Sequence, residues 1–149
     1  MKLHDFEFPP GEYYIGDLCY VVSNESIWDK MAAQRFVSNY TRDDVNGVFR
    51  LSTGWTWAEF CTAYGDGCYV DNEGRAYSVD SGGIGCISKD KCADKYNHIT
   101  DLGHFFTFDK PFKVWCDGEG PDLFGEATVK GGILHFGNIT IDTYGEEEE

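Results

Sequence analysis

The sequence predicts a mainly β protein, built as an antiparallel sandwich or a partly open barrel of many short strands with one helix packed on it. Short runs of aromatic and β-branched residues recur along the chain. Clusters of Gly, Asp and Asn separate these runs, a pattern typical of strands joined by tight turns. Apolar residues at helical spacing occur in one segment, residues 23–36.

Size and composition predict a single domain. The chain has 149 residues, of which 42% are hydrophobic, and this is enough for one ordinary domain with a buried core. We expect residues 1–145 to form this domain. Residues 146–149 are consecutive glutamates, which predicts a solvated, disordered tail because like charges repel one another.

The N-terminal third is predicted to contain extended chain followed by the helix. Residues 12–15 form a strand pattern, residues 16–18 interrupt it and residues 19–22 resume it, which predicts a hairpin or one bulged strand. In the helix, Ser26 followed by Asp29 resembles a capping pair. The helix face expected to pack on the sheet consists of Ile27, Trp28, Met31, Ala32 and Phe36.

The rest of the chain is predicted to consist of strands and turns. The densest hairpin pattern lies between Phe60 and Cys86, where the turns 65–67, 71–74 and 80–83 separate short aromatic pieces. Strands are expected over residues 48–51, 55–60, 68–70, 76–79, 84–88, 105–108, 112–116, 123–129, 133–136 and 139–142.

The formal charge of −14 bears on the choice of partner. It disfavours direct binding to duplex nucleic acid or to an anionic membrane, and it favours a basic protein partner. No apolar run approaches the length of a membrane span and the N-terminus has no apolar signal-peptide region, so we expect a cytoplasmic protein. The six cysteines lack the spacing of metal ligands and are expected to be free thiols.

Four aspartates stand out because each lies beside a glycine or in a predicted turn: Asp17, Asp66, Asp71 and Asp80. Carboxylates converging from neighbouring loops would suit Mg²⁺ or Ca²⁺, or acid–base chemistry. The competing interpretation is that each aspartate side chain caps a turn by hydrogen bonding to the backbone. The second interpretation is favoured, because all four occur where turns prefer Asp.

A second set of residues predicts a site for a flat, nucleotide-like ligand. Aromatic rings beside Gly-rich turns can stack on a base, and basic side chains nearby would bind its phosphate. The residues expected in this site are Trp55, Trp57, Tyr64, Asp66, Tyr69, Arg75, Tyr77, Asp80, Lys89 and Lys91, with Lys95 as a further cation. Core packing for the aromatic residues and solvation for the lysines are the competing interpretations.

Several segments together resemble a group of small uncharacterised proteins of tailed bacteriophages and bacteria. They are residues 14–20 (Tyr-Ile-Gly-Asp-Leu-Cys-Tyr), 62–69 (Thr-Ala-Tyr-Gly-Asp-Gly-Cys-Tyr), 77–82 (Tyr-Ser-Val-Asp-Ser-Gly), 124–125 and 139–143. The resemblance covers most of the chain and implies the cytoplasm of a bacterial host. Phage proteins of this size often counter host defences, so it also implies a counter-defence role.

The expected function is therefore non-enzymatic binding, by sequestering a small nucleotide-like signal or by blocking a host defence protein. No phosphate-binding loop, metalloprotease motif or nucleophile elbow is present in the sequence, and no cofactor is expected. The alternatives are an acidic mimic of nucleic acid that inhibits a basic protein, a small metal-dependent hydrolase, and a structural or assembly protein of a virion. Two further possibilities stay open. Cys19 and a histidine could form a thiolate–imidazole pair, and the protein could form a homo-oligomer.

Overall fold

Residues 2–22, 24–35, 46–62, 66–92, 102–117 and 132–143 are described by a computed structural model. They contain one α-helix, two 3-10 helices and eleven short strands. The helices are α1 (Glu25–Arg35) and the 3-10 helices Leu18–Tyr20 and Lys89–Lys91. The strands are β1 (Lys2–Leu3), β2 (Gly11–Gly16), β3 (Gly47–Arg50), β4 (Thr56–Cys61), β5 (Gly67–Val70), β6 (Ala76–Val79), β7 (Gly83–Ser88), β8 (Gly103–Phe108), β9 (Val114–Asp117), β10 (Ile133–Phe136) and β11 (Ile139–Asp142).

The strands form three antiparallel sheets. The largest has six strands in the order β1-β3-β4-β7-β2-β8, the second has the order β11-β10-β9, and the third is the β5–β6 hairpin. Among the described strands, the large sheet does not close into a barrel. The predicted fold class is therefore confirmed: the described residues form a mainly antiparallel β structure with a single α-helix packed on it. The strand expected over residues 123–129, Phe36 and the glutamate tail lie outside the described residues.

The large sheet is buried on both faces, so the molecule has three layers. One face packs on the two smaller sheets through a core that includes Ile15, Phe60, Ile84, Tyr77 and Phe136. The opposite face packs on α1 and the first 3-10 helix through a core that includes Tyr14, Phe49, Trp57, Ile87 and Met31. Neighbours along one strand thus enter different cores, because successive side chains of a strand point to opposite faces.

The helix α1 lies within the predicted segment, but its cap is not the predicted one. Asn24, not Ser26, caps the helix: the Asn24 side-chain oxygen accepts a hydrogen bond from the Ile27 backbone N–H at 3.1 Å. Ser26 is already inside the first turn and exposed. Asn and Ser are both preferred N-cap residue types. The path of the chain from β2 decides which of the two precedes the first turn. Met31 is 1% exposed and fixes the buried face of the helix.

The hairpin or bulged strand predicted over residues 12–22 is wrong. After β2, the chain forms the 3-10 helix Leu18–Tyr20. Asp17 caps this helix, since its carboxylate accepts a hydrogen bond from the Cys19 backbone N–H at 3.0 Å. This local bond competes with strand pairing, which explains why the strand ends here. Val21 and Val22 are buried beneath the helix layer rather than in a strand.

Two facing glycines allow a tyrosine ring to lie against the sheet. Gly16 in β2 pairs directly with Gly103 in β8. A Cβ atom on Gly16 would lie 2.5 Å from the Tyr14 hydroxyl oxygen, and one on Gly103 would overlap the same ring. The Tyr14 hydroxyl donates to the Asp17 backbone carbonyl at 3.1 Å. The lack of a side chain at both glycines therefore leaves room for the Tyr14 ring, whose hydroxyl reaches the turn at Asp17.

Candidate anion-binding groove

A groove of about 620 Å³ opens between α1 and the turn that follows β3. Apolar, polar and basic residues line it, although the chain as a whole is acidic. A volume of this size suits a small-molecule ligand. The lining residues are Ile27, Lys30, Ala33, Gln34, Leu51, Ser52, Thr53, Gly54, Trp55 and Lys91.

The turn that forms one wall of the groove is closed by its own backbone. The Leu51 N–H donates to the Trp55 carbonyl at 2.9 Å, and the Gly54 N–H donates to the Leu51 carbonyl at 2.9 Å. Gly54 has a φ of 96°, a left-handed conformation that a residue with a Cβ atom adopts only with strain. The turn places Trp55 immediately before β4, on the side of the sheet that faces α1.

Two lysines from different parts of the chain meet at this groove. Lys30 comes from the exposed side of α1, and Lys91 comes from the 3-10 helix Lys89–Lys91. The Lys91 ammonium lies 5.4 Å from the centre of the Trp55 ring, within the range of a cation–π contact. Neither lysine forms an ion pair with any residue that the structure describes. Their charges are thus available to an anion.

A second hollow continues along the same turn. It has a volume of about 440 Å³ and shares Gln34, Leu51 and Ser52 with the groove. Arg50 lines it and donates from its Nε to the Thr56 hydroxyl at 2.8 Å. The Arg50 guanidinium also lies 5.4 Å from the centre of the Phe6 ring, so this cation is engaged with residues of the protein.

The Trp55 indole supplies an unused hydrogen-bond donor. Its Nε1 atom is buried and has no hydrogen-bond partner among the described residues. A buried N–H without a partner is destabilising by about 1–3 kcal/mol. An acceptor atom of a ligand, or a water molecule, that reached this N–H would remove the penalty.

The predicted ligand-site residues are only partly brought together. Trp55 and Lys91 meet in the groove, whereas Lys89 lies 3.9 Å from the Glu12 carboxylate and over the Phe105 ring. Tyr64 and Lys95 lie outside the described residues.

The other predicted aromatic residues are in the core. Trp57 is fully buried, stacks on Phe49 at 5.5 Å and donates from its indole to Glu59 at 3.2 Å. Tyr69 and Tyr77 are also buried. None of these three rings lines the groove, and their positions agree with the competing interpretation of core packing.

Asp17 is a structural hub. Its carboxylate is completely buried and accepts hydrogen bonds from the Asp80 N–H, the Ser81 N–H and the Ser81 hydroxyl, at 2.7, 2.7 and 2.6 Å. Asp80 in turn accepts a hydrogen bond from the Tyr20 hydroxyl at 2.7 Å. With the bond from Cys19, both Asp17 oxygens are occupied by protein donors.

Asp71 forms a separate network at the other end of the β5–β6 hairpin. Its carboxylate accepts hydrogen bonds from the Glu73 and Arg75 backbone N–H groups, from the Arg75 guanidinium at 2.9 Å and from the Tyr77 hydroxyl at 2.6 Å. Burial alone would raise the pKa of Asp71, but these hydrogen bonds outweigh burial and lower it. Arg75 is therefore engaged with Asp71, and its guanidinium also lies 4.8 Å from the centre of the Phe106 ring.

The four aspartates do not form a metal site within the described part of the chain. Asp66 and Asp80 flank the paired residues Gly67 and Val79 at one end of the hairpin, and Asp71 lies at the other end. No group of three or more His, Cys, Asp or Glu side chains in the described ranges is arranged to hold a metal ion. Asp17 and Asp71 use their oxygens to close turns, as the competing interpretation proposed.

Cys19 is not placed as an activated nucleophile. Burial, the charge of Asp17 and a hydrogen bond with Asp17 all raise the pKa of the Cys19 thiol, so the thiol form dominates at neutral pH. His104 Nε2 lies 2.8 Å from the Ala76 carbonyl oxygen, and His135 Nε2 lies 2.9 Å from Asp117. These two imidazoles are thus engaged away from Cys19.

Sequence reasoning missed the part of the groove that α1 supplies. Lys30 is exposed on α1, and Gln34 is half-buried about one turn after Met31; neither residue type is unusual in a helix. Ser52 and Thr53 look like ordinary turn residues. Only the packing of α1 beside the turn brings them to Trp55, and no local pattern reports that proximity.

Comparison of the chain with family models, with curated proteins and with solved structures finds no significant match. No helix in the described ranges has both the length and the apolar character needed to cross a bilayer.

Proposed function

We propose that the protein is a binding protein that takes a small, anionic, nucleotide-like ligand in the groove between α1 and the 52–54 turn. The observation that carries the proposal is the meeting of Lys30 and Lys91 with the Trp55 ring in one concave site. Both cations lie on a chain of net charge −14, where most exposed charges are negative.

The chemistry of the groove matches the two parts of a nucleotide. Ammonium groups bind phosphate as point charges, and a tryptophan face stacks on a base with an energy of about 1–3 kcal/mol. Lys91 covers the Trp55 ring in the free protein. A phosphate would draw the Lys91 ammonium off the ring, and the base would then stack in its place.

Binding without chemistry is the form of this function that the described groups support. The carboxylates with the most hydrogen bonds, Asp17 and Asp71, are occupied by protein donors. The Cys19 thiol has a raised pKa. The likeness of several segments to phage proteins supports a counter-defence role, in which the protein would remove a nucleotide signal from a host defence system.

The test starts with the purified protein. Small molecules released on denaturation are identified by mass spectrometry, and the melting temperature is measured with cyclic and linear nucleotides. A ligand at about 100 times its Kd stabilises the fold by about 2.7 kcal/mol, which is a clear shift. The bound nucleotide should be recovered intact. No released nucleotide and no shift with any member of the panel would refute the proposal.

Matched charge variants then locate the site. Titration calorimetry with the stabilising nucleotide compares Lys30→Gln/Lys91→Gln with Lys110→Gln/Lys113→Gln, which removes the same charge from exposed positions outside the groove. We expect the first variant to bind about tenfold more weakly, equivalent to about 1.4 kcal/mol. The second should bind like the wild type. Equal losses in both variants would mean that the ligand does not occupy the groove.

An acidic mimic of nucleic acid is the second candidate, and the distribution of surface charge favours it. Exposed carboxylates occur on all three layers, at Asp5, Glu7, Glu12, Glu25, Asp29, Asp66, Glu73, Asp80, Asp90, Asp109, Asp117 and Asp142. Such a surface attracts a basic protein and speeds its association. Capture of a nucleic-acid-binding protein at low salt, with a steep loss at high salt and competition by DNA, would support this function.

A further inference from the structure

Trp115 is an exposed aromatic residue far from the groove in the fold. It lies in β9, in the three-stranded sheet that packs on the side of the large sheet opposite α1. Trp115 is 45% exposed, and among the described residues Val70 is the only other large apolar side chain that is exposed. An indole at this exposure retains apolar surface that a partner can bury.

The Trp115 ring is held flat by its neighbour across the sheet. His135 in β10 is its direct partner in the strand register. The two rings stack with centroids 4.4 Å apart and an interplanar angle of 6°. Because β9 is the last strand of this sheet among the described residues, the other ring face points toward the sheet edge.

A carboxylate stands beside this ring. Asp117 lies two residues further along β9, so it is on the same face as Trp115. Its Oδ2 atom lies 2.9 Å from His135 Nε2, and its side chain is 48% exposed. Its Oδ1 atom has no hydrogen-bond partner among the described residues. The imidazole therefore orients the carboxylate while leaving one oxygen open.

We propose that Trp115, His135 and Asp117 form a docking site for an arginine side chain of a basic partner protein. A guanidinium is planar and charged, so it stacks on an indole face and donates hydrogen bonds to a carboxylate at the same time. Tryptophan and arginine are also the residues that most often dominate binding energy in protein interfaces.

Charge selects this occupant over others. Ile133 pairs with Asp117 on one side and with Asp142 on the other, so two carboxylates flank this part of the sheet. An anionic ligand would be repelled there, and the net charge of −14 steers basic proteins toward the molecule. The site is separate from the nucleotide groove, so the two proposals stand or fall independently.

The test uses the full chain labelled with ¹⁵N and follows the indole N–H signal of Trp115 by NMR, assigned with Trp115→Phe. The probes are a capped tripeptide Gly-Arg-Gly, the matched Gly-Lys-Gly and a neutral methyl glucoside. We expect a saturable shift of the Trp115 signal with the arginine peptide. The lysine peptide should bind at least about threefold more weakly, because only a guanidinium group both stacks on an indole and donates two parallel hydrogen bonds to a carboxylate. The glucoside should give no saturable shift.

Two aspartate variants provide the control. Asp117→Asn should weaken binding of the arginine peptide by about two- to fivefold, the upper part of the range for one exposed charge pair. Asp29→Asn, on the opposite layer in α1, changes the net charge equally and should leave the affinity unchanged. An unshifted backbone spectrum away from β9 and β10 verifies that each variant is folded.

Three results would overturn the proposal. They are equal affinities for the arginine and lysine peptides, equal losses in the two aspartate variants, and no saturable shift of the Trp115 signal with the arginine peptide. Saturable binding of the glucoside instead would assign the site to a saccharide.

Discussion

The Asp17 carboxylate accepts hydrogen bonds from both the backbone N–H and the hydroxyl of Ser81, a residue 64 positions away in the sequence. This contact ties the turn after β2 to the turn between β6 and β7. The hydrogen bond from the Tyr20 hydroxyl to Asp80 is a second link between the same two regions of the chain. Asp17 therefore has a structural role, because its carboxylate joins two turns that are distant in the sequence.

Replacement of Asp17 by Asn should destabilise the fold strongly. The amide has one acceptor oxygen and would place its NH₂ group against the N–H groups of Asp80 and Ser81, leaving buried donors without partners. We expect a loss of about 3 kcal/mol in the free energy of unfolding, measured by urea denaturation.

Asp66→Asn is the matched control for this experiment. Asp66 is exposed at the start of the β5–β6 hairpin, so its replacement should change the free energy of unfolding by less than about 0.5 kcal/mol. Similar losses for the two variants would contradict the role assigned to the Asp17 carboxylate.

Titration of the Asp71 carboxyl group should make the free energy of unfolding depend on pH in the acid range. Hydrogen bonds from Tyr77, Arg75 and Glu73 lower the pKa of Asp71 despite its burial. A carboxyl group with a lowered folded-state pKa stabilises the fold above its unfolded pKa of about 4, and this contribution disappears as the pH falls through the folded value. The free energy of unfolding should therefore decrease below about pH 4.

Urea denaturation over a pH series checks this prediction. Asp71→Asn should reduce the slope of stability against pH in the acid range, because the titrating group is absent. Tyr77→Phe removes one hydrogen bond of 2.6 Å to the carboxylate and should reduce the slope by a smaller amount. An unchanged slope in Asp71→Asn would show that other carboxyl groups account for the acid sensitivity.

Gly103→Ala should destabilise the protein through the Tyr14 ring. The new Cβ atom would overlap the ring of Tyr14, and overpacking of this kind is destabilising by about 1–3 kcal/mol. Tyr14→Phe removes the hydroxyl oxygen, which is the side-chain atom of Tyr14 nearest the new methyl group.

A double-mutant cycle measured by thermal or urea unfolding tests the contact. The two substitutions should show a favourable coupling of about 0.5 kcal/mol or more, since they change the same contact. Purely additive effects would mean that the glycine is required for a reason other than the ring.

Much of the fold follows from local patterns in the sequence. The β5–β6 hairpin forms where aromatic and β-branched residues flank the turn beginning at Asp71, because that residue bonds to the backbone N–H groups of Glu73 and Arg75. The span of α1 follows from the spacing of Ile27, Trp28 and Met31. Turn chemistry and side-chain period act over a few residues, so sequence alone is sufficient for them.

The tertiary structure decided which residues share a site. The sequence predicted that Trp55 and Lys91 belong to a ligand site, but it grouped them with Trp57 and Tyr77, which are buried in different cores. Burial depends on which layer covers each face of the sheet, and strands covered on both faces show no alternation that would reveal it. The groove itself exists because α1 packs beside the 52–54 turn. Contacts between elements distant in the chain depend on the topology of the whole fold, so no short stretch of the sequence specifies them.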